Sequence, residues 1–427
     1  MGIRGKGEHM DSTATPRASR GAVWTWTVCG LLLVASAINY MDRQTLAGAS
    51  VRISREFHLS QTQYGEIESV FGYAFAAGSL VFGWMADRFA VRWVYPGVLL
   101  AWSIAGFLTG WASNAQELWL ARGFLGFFEA GHWPCAIRTT RHLLDDRRRS
   151  LGNGLLQSGA TVGAITTPLI LRALMGEGDG AWRLPFLVVG VAGALWILPW
   201  LLLVRDGDLP LGNAGTAMAG GTTPFWNVLM SRRFGIVLCV LACINTTWQV
   251  YRAWLMKFLQ EGRGYPEAEA LYFNSAWFAA ADVGCLLAGA FASRLALRGL
   301  PVHSARMAVF GISATLCGLV ALVPWLGRGP LLLTVLALGA AGALGVFPIY
   351  HSLTQDLSAE HQGKVTGIAG VAGWLVPGYV QKGFGQIADL TGSFNLGLAL
   401  AALLPLLALI PLSFWGTRPV TGGPKAA

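Results

Sequence analysis

Twelve stretches of this chain are too apolar to be left in water. Their approximate limits are 23–50, 62–86, 93–112, 116–138, 149–174, 183–204, 234–259, 268–293, 304–325, 330–357, 363–388 and 394–416. Each can cross the roughly 30 Å hydrocarbon core of a bilayer as an α-helix. Inside lipid the backbone must satisfy its own hydrogen bonds, and a helix does so within a single segment. Only 12% of the 427 residues are charged, while 18 are Trp and 21 are Phe. A soluble protein needs roughly 25% charged residues to cover its surface. The expected fold class is therefore an all-α membrane protein of twelve transmembrane helices, with the lipid bilayer as its main partner.

Composition supports a packed bundle. Glycine occurs 55 times, a density that would weaken helices in water but lets helix backbones approach closely in lipid. The six cysteines (Cys29, Cys135, Cys239, Cys243, Cys285 and Cys317) fall inside apolar runs and read as small packing residues. The net charge of +9 does not point to nucleic acid, because the basic residues sit in short loops between spans. The first apolar run lacks a small-residue cleavage site after it, so it is expected to be retained as the first span.

Placing the amino terminus in the cytoplasm puts about 20 of the 31 Lys and Arg residues in cytoplasmic segments and about 7 outside, as positive-inside bias requires. Both termini are thus expected to be cytoplasmic. One connection is long: 205–233 contains GDLPLGNAGTAMAGGTTP and reads as a flexible linker. The expected organisation is a tail (1–22), a six-helix bundle (23–204), the linker (205–233), a second six-helix bundle (234–416) and a tail (417–427). The halves resemble each other. GWMADRFAVR at 83–92 recurs as GAFASRLALR at 289–298, and the Gly-rich fifth span corresponds to the eleventh. Repeats of this kind build two pseudo-symmetric bundles around a central cavity and permit alternating access.

The first of these repeats carries a family resemblance. GWMADRFAVR resembles the loop signature of the major facilitator superfamily, which implies that Gly83, Asp87, Arg88 and Arg92 form a conformational latch. Asn39-Tyr40-Met41-Asp42-Arg43 in span one is similar to a charged pair of the anion:cation symporter family. So is Arg122-Gly-Phe-Leu-Gly-Phe-Phe-Glu129-Ala-Gly131 with Pro134 in span four. That family includes bacterial hexuronate, glucarate and galactonate transporters, sialin and vesicular glutamate transporters. The likeness implies proton-coupled uptake of a small organic anion, such as a hexuronate or aldonate, across a bacterial inner membrane by a monomer. In the family the acids matching Asp42 and Glu129 are associated with proton coupling.

The residues themselves point the same way. An ionised group at the centre of a membrane helix costs about 2.5–3.5 kcal/mol, so such groups persist where they face a bundle interior or a watery cavity. Arg43, Arg122, Arg252, Lys382, Asp42, Glu129 and Asp282 meet that description. Arginine's planar fork suits a carboxylate, which makes Arg43 the first choice of anchor, with Arg122 joining it or pairing with Asp42. Asp42 and Arg43, being adjacent, point about 100° apart, so one faces the cavity and the other a neighbouring helix. Arg122 and Glu129 share a helix face two turns apart. Substrate contacts are also expected from Tyr40, Tyr73, Gln157, Trp248, Arg252 and Trp374, with Asn245, Gln249 and Tyr350 as further lining. His132 lies at i+3 from Glu129, as in a metal-ligand pair, but no second such pair exists; no metal or cofactor is expected. The alternatives are a drug or metabolite exporter, an uncoupled anion facilitator, and a membrane enzyme or sensor. The fifth span lacks the exporter-type Pro after its second Gly, and no catalytic or nucleotide-binding motif supports an enzyme.

Overall fold

The computed structural model describes residues 21–178, 180–209, 225–357 and 362–415. Most of both expected tails and the middle of the expected linker, 210–224, lie outside the described residues. The described helices are α1 (Ala22–Glu56), α2 (Gln61–Arg88), α3 (Val91–Thr109), α4 (Ala115–Glu129), α5 (His132–Leu143), α6 (Asp146–Leu174), α7 (Arg183–Leu203) and the short α8 (Phe225–Leu229). They continue with α9 (Arg232–Lys257), α10 (Glu267–Leu297), α11 (Val302–Gly318), α12 (Pro330–Gly345), α13 (Phe347–Gln355), α14 (Gln362–Thr391), α15 (Asn395–Leu407) and α16 (Leu409–Ser413). Among the described residues ten helical stretches are long and apolar enough to cross a membrane. The broken pair α4–α5 and the 30-residue α14 are consistent with the remaining two of twelve. Large apolar side chains point outward: Leu195, Leu198 and Leu202 of α7 are each more than half exposed, a surface suited to lipid.

The helix breaks follow from proline. Pro134 cannot donate to the Ala130 carbonyl one turn earlier, and α4 ends there; Gly131 bonds back to Phe128 instead. Pro348 and Pro411 likewise follow the breaks between α12 and α13 and between α15 and α16. The first helix exceeds its expected limit. Arg52 and Glu56 remain helical because both find partners, Arg52 on Glu267 and Glu56 on Arg183 and Trp182.

Packing repeats between the halves. In the first, α1 packs on α6, α2 on α4, and α3 on α7; in the second, α9 packs on α14, α10 on α12, and α11 on α15. The seam between the halves is made by α2 against α14 and α6 against α10. Small residues allow these approaches. A Cβ added at Gly163 would overlap the Ala37 carbonyl of α1, and one at Gly72 would lie 3.1 Å from the Gly378 backbone of α14.

The seam is closely engaged at the end where α1 finishes, the far end. There Arg52 pairs with Glu267, Lys257 donates to Ser54 at 2.9 Å, and Asp389 accepts from the Gln61 and Thr62 amides at 2.9 and 2.8 Å. That carboxylate caps the amino terminus of α2 from the opposite half. Open space also flanks the seam helices: nothing lies within 4 Å of a Cβ added at Gly83, Gly154, Gly367 or Gly370 towards the near end, where α1 begins, or at Gly383 towards the far end.

Substitution at two α6 glycines checks this packing. Gly163→Ala is expected to destabilise by about 1–3 kcal/mol through overpacking against α1. Gly154→Ala, with open space beside it, should leave thermal denaturation in detergent level or slightly raised.

Candidate functional site

At mid-length of α1 an arginine sits in a fully protein environment. Arg43 is 3% exposed. Its Nε donates to Oε2 of Glu129 at 2.5 Å, and its Nη2 donates to Oδ1 of Asn39 at 2.8 Å. Four aromatic rings surround its guanidinium: Phe75 at 4.9 Å, Tyr40 and Trp374 at 5.3 Å, and Phe71 at 5.5 Å. Trp374 reaches in from α14 and lies 4.2 Å from the Phe75 ring, so the cage spans the seam. Tyr40 and Trp374 are half-buried and form its rim.

The local sequence explains this placement. Gly126 brings α4 against α2, since a Cβ there would stand 2.5 Å from the Phe71 carbonyl oxygen. Phe71 is thereby wedged between Arg43 and Arg122, whose guanidinium lies 4.5 Å from the same ring. Glu129 is the last residue of α4, just before the proline-linked break. Asp42 takes the other direction. It packs against α3, where a Cβ on Gly106 would be 2.6 Å from its Oδ1, and neither carboxylate oxygen has a hydrogen-bond partner among the described residues. Of the adjacent pair, Arg43 faces the seam and Asp42 a neighbouring helix.

Arg122 pairs with neither Arg43's partner nor Asp42. It is fully buried, and its ion-pair partner is Glu68 of α2, 3.7 Å away. Glu68 also accepts from Nη2 of Arg252 at 2.6 Å, a contact across the seam. Gln249 accepts from Arg252 Nε at 2.8 Å. Sequence reasoning missed Glu68. It lies only seven residues inside α2 and reads as an end residue; its available signal is that apolar Ile67, Val70 and Phe71 flank it. Lys257 was missed likewise: it is fully buried and held by Ser54 and Glu261.

Arg43, Glu129, Tyr40, Trp374, Arg122 and Arg252 are thus gathered into one cluster with Glu68. Several other candidates stand apart. Trp248 stacks on Trp277 at 5.3 Å within the second half. Tyr73 is exposed beside Gly378, and Gln157 is exposed on α6. Asn245 donates to the Gly373 carbonyl, and Tyr350 is buried in the core of the second half. Asp282 accepts from Thr161 at 3.0 Å, joining α10 to α6. Lys382 is exposed and pairs with Glu66 at 2.8 Å. Both ring nitrogens of His132 are engaged, Nε2 with Ser36 and Nδ1 with Tyr95, each at 2.9 Å.

The charged loop after α2 pairs within its own half. Asp87 lies 3.6 Å from Arg138 of α5, Arg88 covers the Trp84 ring at 4.9 Å, and Arg92 pairs with Asp206. Hydrogen bonding from Arg92 holds the Asp206 carboxyl below the usual carboxylate range. Gly83 is open on its flank. The expected latch between halves is therefore not drawn across the seam by the ion pairs described for these residues.

Paired bundles of helices, long and apolar enough to cross a membrane, around a buried cluster of ion pairs define a polytopic membrane protein. The chain belongs to the major facilitator superfamily, whose family profile matches residues 32–381. It is 28% identical over 412 residues to the "Probable sulfoacetate transporter SauU" of Cupriavidus necator, covering 90% of this chain and 92% of that one. It is 26% identical over 390 residues to the "D-galactonate transporter" of Escherichia coli O6:H1, covering 83% and 89%. Its fold matches the crystal structure of a bacterial homolog of the human lysosomal transporter Spinster, with a TM-score of 0.74 at 18% identity, covering 93% and 95%.

His132 offers a test of a structural role. Its imidazole joins α1 to α3, so His132→Ala should strand the Ser36 and Tyr95 hydroxyls and cost about 1–3 kcal/mol in detergent-solubilised stability. Zinc added to the wild type should leave its melting temperature unchanged.

Proposed function

We propose that this chain imports a small organic anion together with protons, moving bundles 23–204 and 234–416 against each other as a monomer with both termini in the cytoplasm. The observation that carries the reading is the 2.5 Å pair between Arg43 and Glu129, buried on both sides. Breaking a buried ion pair by removing one partner leaves an uncompensated charge and is strongly unfavourable. Arg43 therefore stays on Glu129 until another anion can replace it. A proton on Glu129 ends the pair and leaves the guanidinium fork, already framed by Asn39 and four rings, for a carboxylate or sulfonate. Proton uptake and anion capture then depend on each other.

Asp42 supplies a second proton site in this reading. A bare carboxylate with no hydrogen bond is costly in an apolar interior, and a bound proton removes that cost. With the acids protonated and no anion bound, the site carries excess positive charge; a bound anion lowers that excess, so the loaded form can close around its cargo and rock. The aromatic cage suits this role, since Trp374 belongs to α14 and the rest to α1 and α2. Relatives named for sulfoacetate and D-galactonate support a small acid as cargo.

The sign of the pH effect follows. Anion binding should tighten as pH falls, because Glu129 then releases Arg43. The charged groups acting on Glu129 are Arg43, Arg122, Arg252 and Asp42. In proteoliposomes, an inward pH gradient should drive galactonate or sulfoacetate above its external concentration. Glu129→Gln is expected to keep exchange of substrate across the membrane while losing accumulation and the pH dependence of binding. Arg43→Gln should weaken binding by about 2 kcal/mol or more, roughly 30-fold. Accumulation by Glu129→Gln equal to that of the wild type would reject the coupling.

A further inference from the structure

Glu68 is the buried acid that the proposal above does not use. It is 2% exposed, and its two oxygens face cations on different helices. Oε2 accepts from Nη2 of Arg252, from the second half, at 2.6 Å. Oε1 lies 3.7 Å from Nη2 of Arg122, from its own half, which is too long for a hydrogen bond. The remaining neighbours carry no competing charge at this carboxylate. Tyr64 Oη is 3.5 Å away and donates to the Ala253 carbonyl. Lys257 lies over the Tyr64 ring but is bonded to Ser54 and Glu261, and α14 brings the uncharged Gln381, which accepts from Trp254.

Arg122 is unusual in this setting. It is fully buried, yet Nε, Nη1 and Nη2 all lack a hydrogen bond among the described residues, as does Nη1 of Arg252. Buried donors left unmade are expensive, and most find partners. Here a carboxylate sits just beyond reach of Arg122 because it is engaged by Arg252. The geometry is that of one acid between two arginines, one in each half.

The charge count adds a constraint. Protonation of Glu129 and Asp42 leaves three guanidiniums (Arg43, Arg122 and Arg252) against Glu68 alone, an excess of two positive charges. A singly charged substrate leaves one of these uncompensated in a closing, water-poor site. A doubly charged one compensates both.

We propose that Arg252 is a second anion anchor, held by Glu68 until substrate arrives, and that the site takes a short molecule with two acidic groups. One group binds Arg43 and the other Arg252, while Glu68 moves over to the waiting donors of Arg122. This rests on the anion-import reading above and narrows its substrate class. It also explains why the cluster crosses the seam: a two-headed anion touches both halves at once.

Binding to the purified full-length chain at acidic pH tests it with two matched pairs, galactarate against galactonate and sulfoacetate against methanesulfonate. In at least one pair the dianion is expected to bind at least tenfold tighter. Arg252→Gln should erase that preference by weakening the dianion far more than the monoanion. Glu68→Gln removes the internal competitor and should tighten dianion binding threefold or more, the opposite of what damage to a purely structural pair would do. Size-exclusion profiles matching the wild type show that each variant is folded. Equal affinities within both pairs, or an Arg252→Gln loss equal for both members, overturns the proposal. If such a result accompanies anion binding that still depends on Arg43, import of a single-headed anion stands. If no anion binds at all, both readings fall.

Discussion

Charge buried in a membrane protein must be neutralised on the spot, because neither lipid nor packed side chains can solvate it. In this chain that requirement is met by buried carboxylate–guanidinium pairs, Arg43 with Glu129 and Arg252 with Glu68. The surrounding architecture serves these pairs. Gly126 draws α4 onto α2, Phe71 separates the two arginines of the first half, and Trp374 closes the cage from the second. A pair that no water can relieve is stable until something of like charge, or a proton, replaces one member. Such a pair ties the release of its guanidinium to the arrival of a proton or a competing anion.

The bundles hold together by a different means. Lipid offers no hydrophobic drive between helices, so close backbone contact and scattered polar bonds must suffice. Gly163 against Ala37, Gly72 against Gly378 and Gly345 beside Ser313 supply the contact. The polar bonds that cross the halves gather at the far end, where Asp389 caps α2 and Arg52 meets Glu267. Rocking between states needs these bonds to break.

Much of the fold was legible because membranes simplify it. Length and hydropathy marked the spans, but the breaks near Pro134, Pro348 and Pro411 fall inside stretches read as continuous (116–138, 330–357 and 394–416), and Pro96 and Pro168 stand inside unbroken helices. Of the site, Arg43 and Glu129 stood out as charges deep within apolar runs. Glu68 and Lys257 did not, since residues near a helix end, Glu68 at the start of α2 and Lys257 at the finish of α9, look as though they could reach water. Whether they do depends on the neighbour: α9 covers Glu68, and Ser54 of α1 covers Lys257. Tyr73 and Gln157 stay exposed, outside the buried cluster of ion pairs.

By itself the sequence determined an all-helical chain that belongs in lipid, its repeated halves, and the charged residues it must neutralise, because these follow from local composition and spacing. Only the tertiary structure decided who pairs with whom. Arg122 faces Glu68 rather than Asp42, Asp42 turns to α3, and Arg252 reaches across the seam. Helical periodicity fixes the direction of a side chain around its own axis. It does not say which helix stands there, and electrostatic partnership in a low-dielectric interior is set by that neighbour.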